Sequence, residues 1–478
     1  MICGPKSSGK STFARLLTNK LLYATVEASN RSKSAKPTGV ALLDLDPGQP
    51  EYSPPGQLSL IHLHASNFGP PYSHPTPSAG NCVIRSHSIG AVSPSLDPGL
   101  YMACAMDLYA HYRNLLSLIA NCPLIINTPG WVLGTGLEIL VDLIAKVHPT
   151  EVIYMSQEGP GEVVESLREA GKSTPLIMLP SQGSEYTTRT AAHLRTMQTM
   201  SYFHLDSSSS NGLAWKDAPL TSVPPWQISY SGAGGGILGI MCYGEQPPAN
   251  LLADTINGSL LTVVIIDKIA GIPGWESSGP MDTDEENVQN YTMPEHNDAE
   301  IRAFDEKSFQ PQNLEKPLIV QTPDEDIPYF NPANAMSLNP KYSHSIGLVL
   351  VRGIDVARRQ LHVLTSIAPG VIEEINEAGK SIILVSGKLD TPGWAYTEEL
   401  IQKTTFEKAS RKKGDTMDVD ESDEEDLEGS DGKTERLFGG GFHDAPWIER
   451  LEGSQGRGLG ARVWRVRRDL GRAGDGGD

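Results

Sequence analysis

Residues 4–12 read Gly4-Pro5-Lys6-Ser7-Ser8-Gly9-Lys10-Ser11-Thr12 and match the pattern G-x-x-x-x-G-K-[ST] at every fixed position. In such a loop, glycines let backbone N–H groups turn towards phosphate oxygens. Lys10 would reach the outer phosphates, and Ser11 could ligate Mg²⁺. The alternative interpretation is a glycine turn in front of an ordinary helix. We predict that this whole stretch binds ATP and that Mg²⁺ accompanies the nucleotide.

Short apolar strands and amphipathic helices alternate over the first part of the chain. Strands are predicted at 40–45, 58–63, 123–127 and 151–156, and helices at 12–23, 107–120 and 136–147. The polar stretch 24–39 is predicted to be an insertion. Strands that alternate with helices in this way form a parallel sheet covered by helices on both faces. We therefore predict an α/β fold of the P-loop NTPase class, over residues 1–206.

The pattern changes after residue 206. Short β-like runs at 239–243, 260–266, 346–351, 360–365 and 382–386 lie among Gly and Pro residues, which is typical of a small antiparallel β domain. We predict a linker and the start of this smaller, β-rich C-terminal domain at 207–276, and its remainder at 301–407. The predicted acidic inserts occupy 277–300 and 408–435, and a basic segment occupies 436–478.

The charge of the chain is acidic but unevenly distributed. It has 39 Lys and Arg residues against 58 Asp and Glu residues, a formal net charge of −19. Ten carboxylates lie between Asp415 and Asp431, with no basic residue among them. Such a block repels itself, which predicts a solvated and disordered insert.

The apolar pattern excludes one class of protein, and the cysteine pattern argues against two others. No apolar run approaches the ~18 residues that span a bilayer, so we expect no membrane partner. The five cysteines lack CxxC spacing, which argues against a zinc ribbon and against a disulfide scaffold.

The strand in front of the glycine loop is predicted to be very short. Only Met1-Ile2-Cys3 precede Gly4, although a loop of this kind needs a strand to hold it. We therefore expect either an N-terminally truncated chain or a mis-assigned start, and in both cases a weak edge on the central sheet.

The second predicted strand ends in carboxylates, within the run Leu43-Asp44-Leu45-Asp46-Pro47-Gly48-Gln49-Pro50-Glu51. Side chains at the carboxyl end of a parallel strand face the crevice where α/β sheets bind ligands. There Asp46 can hold a Mg²⁺-bound water or accept a proton from an attacking hydroxyl. Alternatively, Asp-Pro-Gly forms a turn, and the turn can also aim the carboxylate. Asp44 is predicted to be structural.

A third predicted strand ends at Ile126-Asn127-Thr128-Pro129-Gly130-Trp131. Thr128 falls at the strand tip, beside the expected γ-phosphate. Trp131 can stack on a base or pack in the core, and both interpretations stay open.

These motifs together resemble the polynucleotide 5′-hydroxyl kinases. The resemblance is closest to their nucleolar branch, which acts in pre-ribosomal RNA processing. It rests on residues 4–12, 43–51, Ser53-Pro54-Pro55-Gly56 and 127–131, and on similar stretches at 189–195, 201–204, 447–450 and 456–468. It spans residue 1 to about 206, returns near the C-terminus and leaves the acidic inserts uncovered. The family normally carries a further domain before the loop.

The resemblance implies an ATP- and Mg²⁺-dependent kinase that phosphorylates the 5′-hydroxyl end of cleaved RNA. The implied setting is processing of an internal transcribed spacer of precursor rRNA, in the nucleus and nucleolus. The implied partner is the endoribonuclease that generates the 5′-hydroxyl end.

The resemblance also implies individual roles. Lys10 and Ser11 would bind ATP and Mg²⁺, with Asp46 as a further metal ligand and as the group that activates the RNA hydroxyl. The implied catalytic set is Asp46, Lys10, Thr128, Arg195 and Arg189, and the implied RNA contacts are Gln49, Trp131, Arg465 and Arg467. Both Arg189 and Arg195 would belong to a mobile lid over the transferred phosphate, although surface solvation is the alternative for either.

Basic residues crowd the C-terminal segment around Trp464. They are Arg457, Arg462, Arg465, Arg467, Arg468 and Arg472. Guanidinium groups with an aromatic ring suit single-stranded RNA. The alternatives are an edge strand protected by charge, and a docking segment for the partner nuclease.

Two other functional interpretations stay open at this point. One is a non-catalytic, ATP-binding scaffold of an RNA-processing complex, and the other is a small-nucleoside kinase or generic ATPase. Retention of Lys10, Ser11, Asp46 and Thr128 favours chemistry over a scaffold.

Overall fold

The computed structural model describes residues 1–32, 38–78, 80–157, 159–172, 174–183, 189–206, 213–230, 236–275, 318–333 and 337–399. Within these ranges, two sheets form side by side. One sheet has seven strands, and the glycine loop follows one of them. The other sheet has eight strands, which come from the C-terminal part of the chain. The predicted inserts 277–300 and 408–435 and the basic segment 436–478 lie outside the described residues.

The seven-stranded sheet has the strand order β4-β3-β2-β5-β1-β6-β7. Its strands are β1 (Ile2–Cys3), β2 (Val40–Asp44), β3 (Gln57–Leu63), β4 (Cys82–Ser88), β5 (Leu124–Asn127), β6 (Val152–Tyr154) and β7 (Leu176–Met178). Five of them, β1, β2, β5, β6 and β7, run parallel to one another. The predicted parallel sheet is therefore present.

The other two strands of this sheet correct the sequence prediction, because β3 runs antiparallel to β2, and β4 runs antiparallel to β3. Parallel neighbours need a crossover connection, usually a helix, and residues 45–56 between β2 and β3 contain no helix.

The expectation that the short first strand leaves a weak edge also needs correction. This two-residue strand pairs with both β5 and β6, so it lies inside the sheet and not at an edge.

Five helices accompany these strands, and they are α1 (Lys10–Ser32), α2 (Pro98–Leu118), α3 (Thr135–Val147), α4 (Gly161–Gly171) and α5 (Ala191–His204). Helix α1 is longer than predicted and includes much of the stretch that we expected to be an insertion. No Gly or Pro interrupts residues 24–32, so polar composition alone does not end the helix there.

The eight-stranded sheet has the order β11-β12-β9-β15-β10-β13-β14-β8. Its strands are β8 (Trp226–Ser229), β9 (Gly239–Cys242), β10 (Leu260–Ile266), β11 (Ile319–Gln321), β12 (Pro328–Phe330), β13 (Ser343–Asp355), β14 (Gln360–Thr365) and β15 (Ser381–Ser386). Helices α6 (Leu252–Ile256) and α7 (Pro369–Glu377) accompany them. The sheet is mostly antiparallel, as predicted, except that β9 pairs in parallel with both β12 and β15.

A half-buried arginine joins the two sheets. Arg85 on β4 donates from Nε to Asp107 Oδ2 of α2 (2.9 Å) and from Nη1 to Asp267 Oδ2, just after β10 (3.2 Å). Its Nη2 donates to the carbonyl oxygens of Pro340 (2.7 Å) and Ser343 (2.9 Å). Four hydrogen bonds to two separate elements of the second sheet and to α2 fix how the sheets sit against each other.

The same cluster predicts a loss of stability in mild acid. Burial lowers the pKa of His87, which contacts Asp107 Oδ2 at 2.8 Å, below its ordinary 6.5, although Asp107 opposes the shift. As pH falls through about 6.5, His87 therefore binds a proton in the unfolded chain at a higher pH than in the folded chain. The free energy of unfolding decreases as a result. We expect His87→Gln to reduce the fall in Tm between pH 7.5 and 5.5. The more exposed His111→Gln is the control, and an unchanged slope in His87→Gln contradicts the assignment.

Across the part of the chain that the structure describes, no helix is both long and apolar enough to cross a bilayer.

Candidate active site

The glycine loop lies between β1 and α1, as predicted, and surrounds the amine of Lys10. The Nζ atom of Lys10 donates a hydrogen bond to the carbonyl oxygen of Pro5 in the same loop, at 2.9 Å. The side chain is buried. Burial lowers the pKa of Lys10, and the negative charge of Asp46 opposes that shift. The loop therefore holds its cation inwards, at the position where a phosphate would lie.

Two buried polar atoms at this site have no hydrogen-bond partner among the described residues. They are the hydroxyl oxygen of Ser8, in the loop, and Oδ1 of Asn127, at the tip of β5. Buried polar atoms are nearly always paired, by protein, water or ligand. The loop is closed on its other side by the segment after β7, where the Gln182 N–H donates to Ser8 O at 2.9 Å. Unpaired groups beside a buried ammonium fit a nucleotide phosphate and its hydrated Mg²⁺.

The Asp46 carboxylate sits in the turn that the sequence predicted. Its Oδ1 accepts hydrogen bonds from the backbone N–H of Gly48 (3.0 Å) and Gln49 (3.3 Å). Burial raises the pKa of Asp46, while the charges of Lys10 and Arg195 lower it. The predicted turn is therefore present, and its carboxylate interacts electrostatically with Lys10 and Arg195.

Asp44 has a larger part in the site than its structural prediction suggested. This fully buried residue accepts from the Glu51 N–H (2.6 Å), from Asn127 Nδ2 (3.0 Å) and from the Asp46 N–H (3.3 Å). Burial raises the pKa of Asp44 to about 7. It lines one cleft together with Ser11 and Asn127. Asp44 therefore holds the turn of Asp46 in place and also adjoins the candidate metal ligand Ser11.

The far end of the same turn is anchored by Glu51, which the sequence analysis did not single out. Arg15 on α1 donates to it from Nε (2.7 Å) and from Nη2 (3.1 Å). Asn67 Nδ2 donates at 2.9 Å, and His74 Nε2 lies at 3.1 Å. Burial alone would raise the pKa of Glu51, but the hydrogen bonds with His74 and Arg15 hold that pKa below its usual range. These contacts tie the turn of Asp46 to the helix that follows the glycine loop.

The tip of β5 contacts the glycine loop from the other side. Thr128 is fully buried, and its hydroxyl donates to the Ile2 carbonyl oxygen at 3.0 Å, so in this structure it joins β5 to β1. Trp131 is half-buried and packs against the main core cluster. A Cβ atom on Gly130 would lie 2.7 Å from Cα of Lys6. Only a glycine allows this approach, so Gly130 determines where the loop backbone sits.

We expect Gly130→Val to weaken ATP binding by about tenfold or more. The loop backbone must move to admit the new side chain, and overpacking of this kind typically costs ~1–3 kcal/mol. Gly183→Ala is the matched control, because a Cβ atom there meets nothing within 4 Å. Nucleotide titration by calorimetry measures both variants. Wild-type affinity in Gly130→Val would contradict the role given to this contact.

Of the two predicted lid arginines, only one lies on helix α5. Arg189 lies before the helix, whose N-cap is Thr190, so the two arginines do not share the helix. Arg195 lies on the helix and interacts with the charge of Asp46. Gln49, half-buried, borders the Asp46 turn, and Arg465 and Arg467 lie outside the described residues.

The structure thus places Asp46 within electrostatic range of both Lys10 and Arg195. Among the described residues, no group of three or more His, Cys, Asp or Glu side chains could hold a metal ion by itself. A Mg²⁺ ion at this site would therefore depend on Ser11, a neighbouring carboxylate and the nucleotide phosphates.

Residues 4–205 match the family model described as "mRNA cleavage and polyadenylation factor CLP1 P-loop". The whole chain is similar to "Polynucleotide 5′-hydroxyl-kinase GRC3" of Gibberella zeae, at 42% identity over 99% of this chain and 60% of the relative. It is 41% identical to the protein of the same name from Aspergillus niger, over 86% of this chain and 50% of that relative. The chain thus spans about half to three fifths of the length of these relatives.

A solved structure titled "Structure of wild-type Clp1p-Pcf11p (454 -563) complex" is also similar, with a TM-score of 0.47 and 16% identity, over 81% of this chain and 73% of that one. The sequence predictions of the family and of the fold class are confirmed by the family model and the relatives. The chain is a homologue of the fungal polynucleotide 5′-hydroxyl-kinases, and its residues 4–205 form a domain of the Clp1 P-loop family.

Proposed function

We propose that this chain transfers the γ-phosphate of ATP to the 5′-hydroxyl end of RNA. The observation that carries the proposal is a carboxylate, Asp46, held by its turn at the carboxyl end of the parallel strands, where it interacts electrostatically with two cations, Lys10 and Arg195. The names of the relatives support the reaction class. The geometry adds the group that can accept the hydroxyl proton.

Each part of the site has a role in this reaction. The backbone of the loop of residues 4–12 binds the ATP phosphates, and the Lys10 side chain neutralises charge on the outer ones. Asp46 accepts the proton of the attacking hydroxyl, and burial raises the pKa of Asp46, which makes its carboxylate a stronger base. Arg195 offsets charge on the phosphoryl group during transfer.

Mg²⁺ fits the same site. Ser11 and Asp44 adjoin one cleft, and Asn127 contributes an unpaired oxygen there. We propose that Ser11 and the carboxylates of Asp44 and Asp46 hold the ion directly or through water. When bound, Mg²⁺ offsets the negative charge of the phosphates. Because the protein ligands are few, we expect chelation of Mg²⁺ to abolish transfer without unfolding the chain.

We further propose that the substrate is the cleaved internal transcribed spacer of precursor rRNA, and that the reaction takes place in the nucleolus. The resemblance of residues 43–51 and 127–131 to the nucleolar kinases supports this setting. A 5′-hydroxyl end has to be made by a ribonuclease that leaves the phosphate on the other fragment. The proposed partner is therefore an endoribonuclease of that class.

The test is an incubation of the chain with γ-labelled ATP and a 5′-hydroxyl RNA oligonucleotide of the spacer sequence. We expect label on the RNA, and none on the same oligonucleotide with a 5′-phosphate, which has no free hydroxyl to accept it. ATP binding without transfer to any 5′-hydroxyl end would instead establish the ATP-binding scaffold. Equal transfer to free nucleosides would establish a small-nucleoside kinase.

A further inference from the structure

The β-rich sheet sends a segment into the candidate active site. Residues 387–391, which we call the β15 extension, follow directly on β15. The Lys388 N–H donates to the carbonyl oxygen of Gly90 at 2.6 Å, and Lys388 forms a parallel bridge with Ala91. A Cβ atom on Gly387 would lie only 2.1 Å from Gly90 O. The β15 extension therefore contacts the P-loop domain through its backbone, so closely that residue 387 has no room for a side chain.

The next residue of the extension packs with α5 and against Gly56, which borders the Asp46 turn. Leu389 packs with Tyr202 and Phe203 of α5 in one hydrophobic cluster. A Cβ atom on Gly56 would lie 2.5 Å from Leu389 Cδ2, and the Gly56 N–H donates to Pro47 O, in the Asp46 turn, at 2.7 Å. The extension thus packs with the helix that carries Arg195 and against Gly56, which is hydrogen-bonded to the turn.

Helix α5 is itself anchored to the loop that contains the turn. Gln198 Nε2 donates to the carbonyl oxygens of Pro50 (2.6 Å) and Ser53 (2.7 Å), and Gln198 is buried. Arg195 lies three residues earlier, about one helical turn away. The backbone from which the Arg195 side chain extends is therefore fixed relative to Asp46.

Asp390 then determines the direction of the guanidinium group. Its Oδ2 accepts a hydrogen bond from Arg195 Nε at 2.6 Å. A guanidinium group is planar and carries its donors in a fixed fork. A carboxylate bound at Nε fixes that plane and leaves the two terminal NH₂ groups available to a further acceptor. The side chains of Arg195 and Asp390 are 17% and 45% exposed, so solvent screens the pair, and its contribution to stability is small.

We propose that Asp390 is a positioning residue for phosphoryl transfer, which holds the terminal NH₂ groups of Arg195 towards the pocket between Lys10 and Asp46. This inference rests on the proposed function and extends it, because it places a residue of the β-rich sheet in the reaction. The β-rich sheet thereby gains a role, since it supplies the carboxylate that orients the arginine of the P-loop domain.

The test compares turnover in Asp390→Asn with turnover in the wild-type chain. Asparagine keeps the shape of the side chain but removes the charge that orients Arg195. We expect kcat to fall about tenfold, with the KM for ATP and the Tm close to wild type. Asp390→Glu should recover part of the loss, because it restores a carboxylate. Glu245→Gln is the control, since Glu245 is a carboxylate near Lys388 that is 93% exposed.

A double-mutant cycle separates positioning from a general effect on the site. In an Arg195→Ala background, Asp390→Asn should have no further effect, because the group that Asp390 orients is absent. An additive loss, an unchanged kcat, or a raised kcat in Asp390→Asn overturns the inference; the last result would mean that Asp390 sequesters Arg195. If the wild-type chain itself transfers no phosphate to any 5′-hydroxyl RNA, the proposed function fails first, and this inference fails with it.

Discussion

Asp46→Asn lowers phosphate transfer to a 5′-hydroxyl RNA end by about 10²-fold or more, while ATP binding is retained. Asparagine can still accept the N–H groups of Gly48 and Gln49, so the turn is expected to persist. It cannot accept a proton from the attacking hydroxyl. Rates of label transfer and calorimetric titration with ATP measure the two quantities separately.

The matched control is Asp142→Asn on α3. Asp142 is exposed, and its carboxylate pairs with Lys146 on the same helix at 3.7 Å. It is distant in sequence from the Asp46 turn. This substitution removes the same charge from the chain at a surface position. Equal turnover in Asp46→Asn and wild type would remove Asp46 from the mechanism, and a loss of ATP binding in that variant would assign it to the nucleotide site alone.

Lys10→Ala is expected to lower turnover by about 10²–10³-fold, an effect of similar size. The amine of Lys10 is buried inside the loop and bonded to Pro5 O, so it meets the nucleotide without competition from water. Without it, the developing charge on the transferred phosphoryl group loses its nearest cation.

Lys6 supplies the control for this second prediction. It lies in the same loop but is exposed, so Lys6→Ala removes an equal charge without emptying the loop interior. Turnover in Lys6→Ala should stay close to wild type. If both variants lost activity equally, the overall charge of the loop, and not the placement of Lys10, would be the cause.

Local sequence was sufficient for the parts of the site that local geometry builds. The glycine pattern at 4–12 predicted a strand, a loop and a helix because each of its fixed residues shapes the backbone or contacts a phosphate. The Asp-Pro-Gly run predicted the turn that holds Asp46, because such turns form from neighbouring residues. Both features are present as β1, α1 and the Asp46 turn.

The remaining parts depend on contacts between residues that are distant in the sequence. Arg195 and Asp390 are 195 positions apart, and Arg85 and Ser343 are 258 apart. No spacing rule connects such pairs. The requirement for glycine at position 130 also depends on a contact between distant residues, because a side chain there would clash with the backbone of Lys6. The direction of β3 was missed because its apolar pattern is the same in either orientation.

The central claim is that a phosphate moves from ATP to an RNA hydroxyl between Lys10 and Asp46. A single-turnover reaction with the chain in excess over 5′-hydroxyl RNA tests it most directly, by counting ATP consumed and 5′-phosphate formed. We predict one 5′-phosphate for each ATP consumed in the wild-type chain, and a rate at least about 10²-fold lower in Asp46→Asn. ATP consumption without formation of 5′-phosphate on the RNA would contradict the claim.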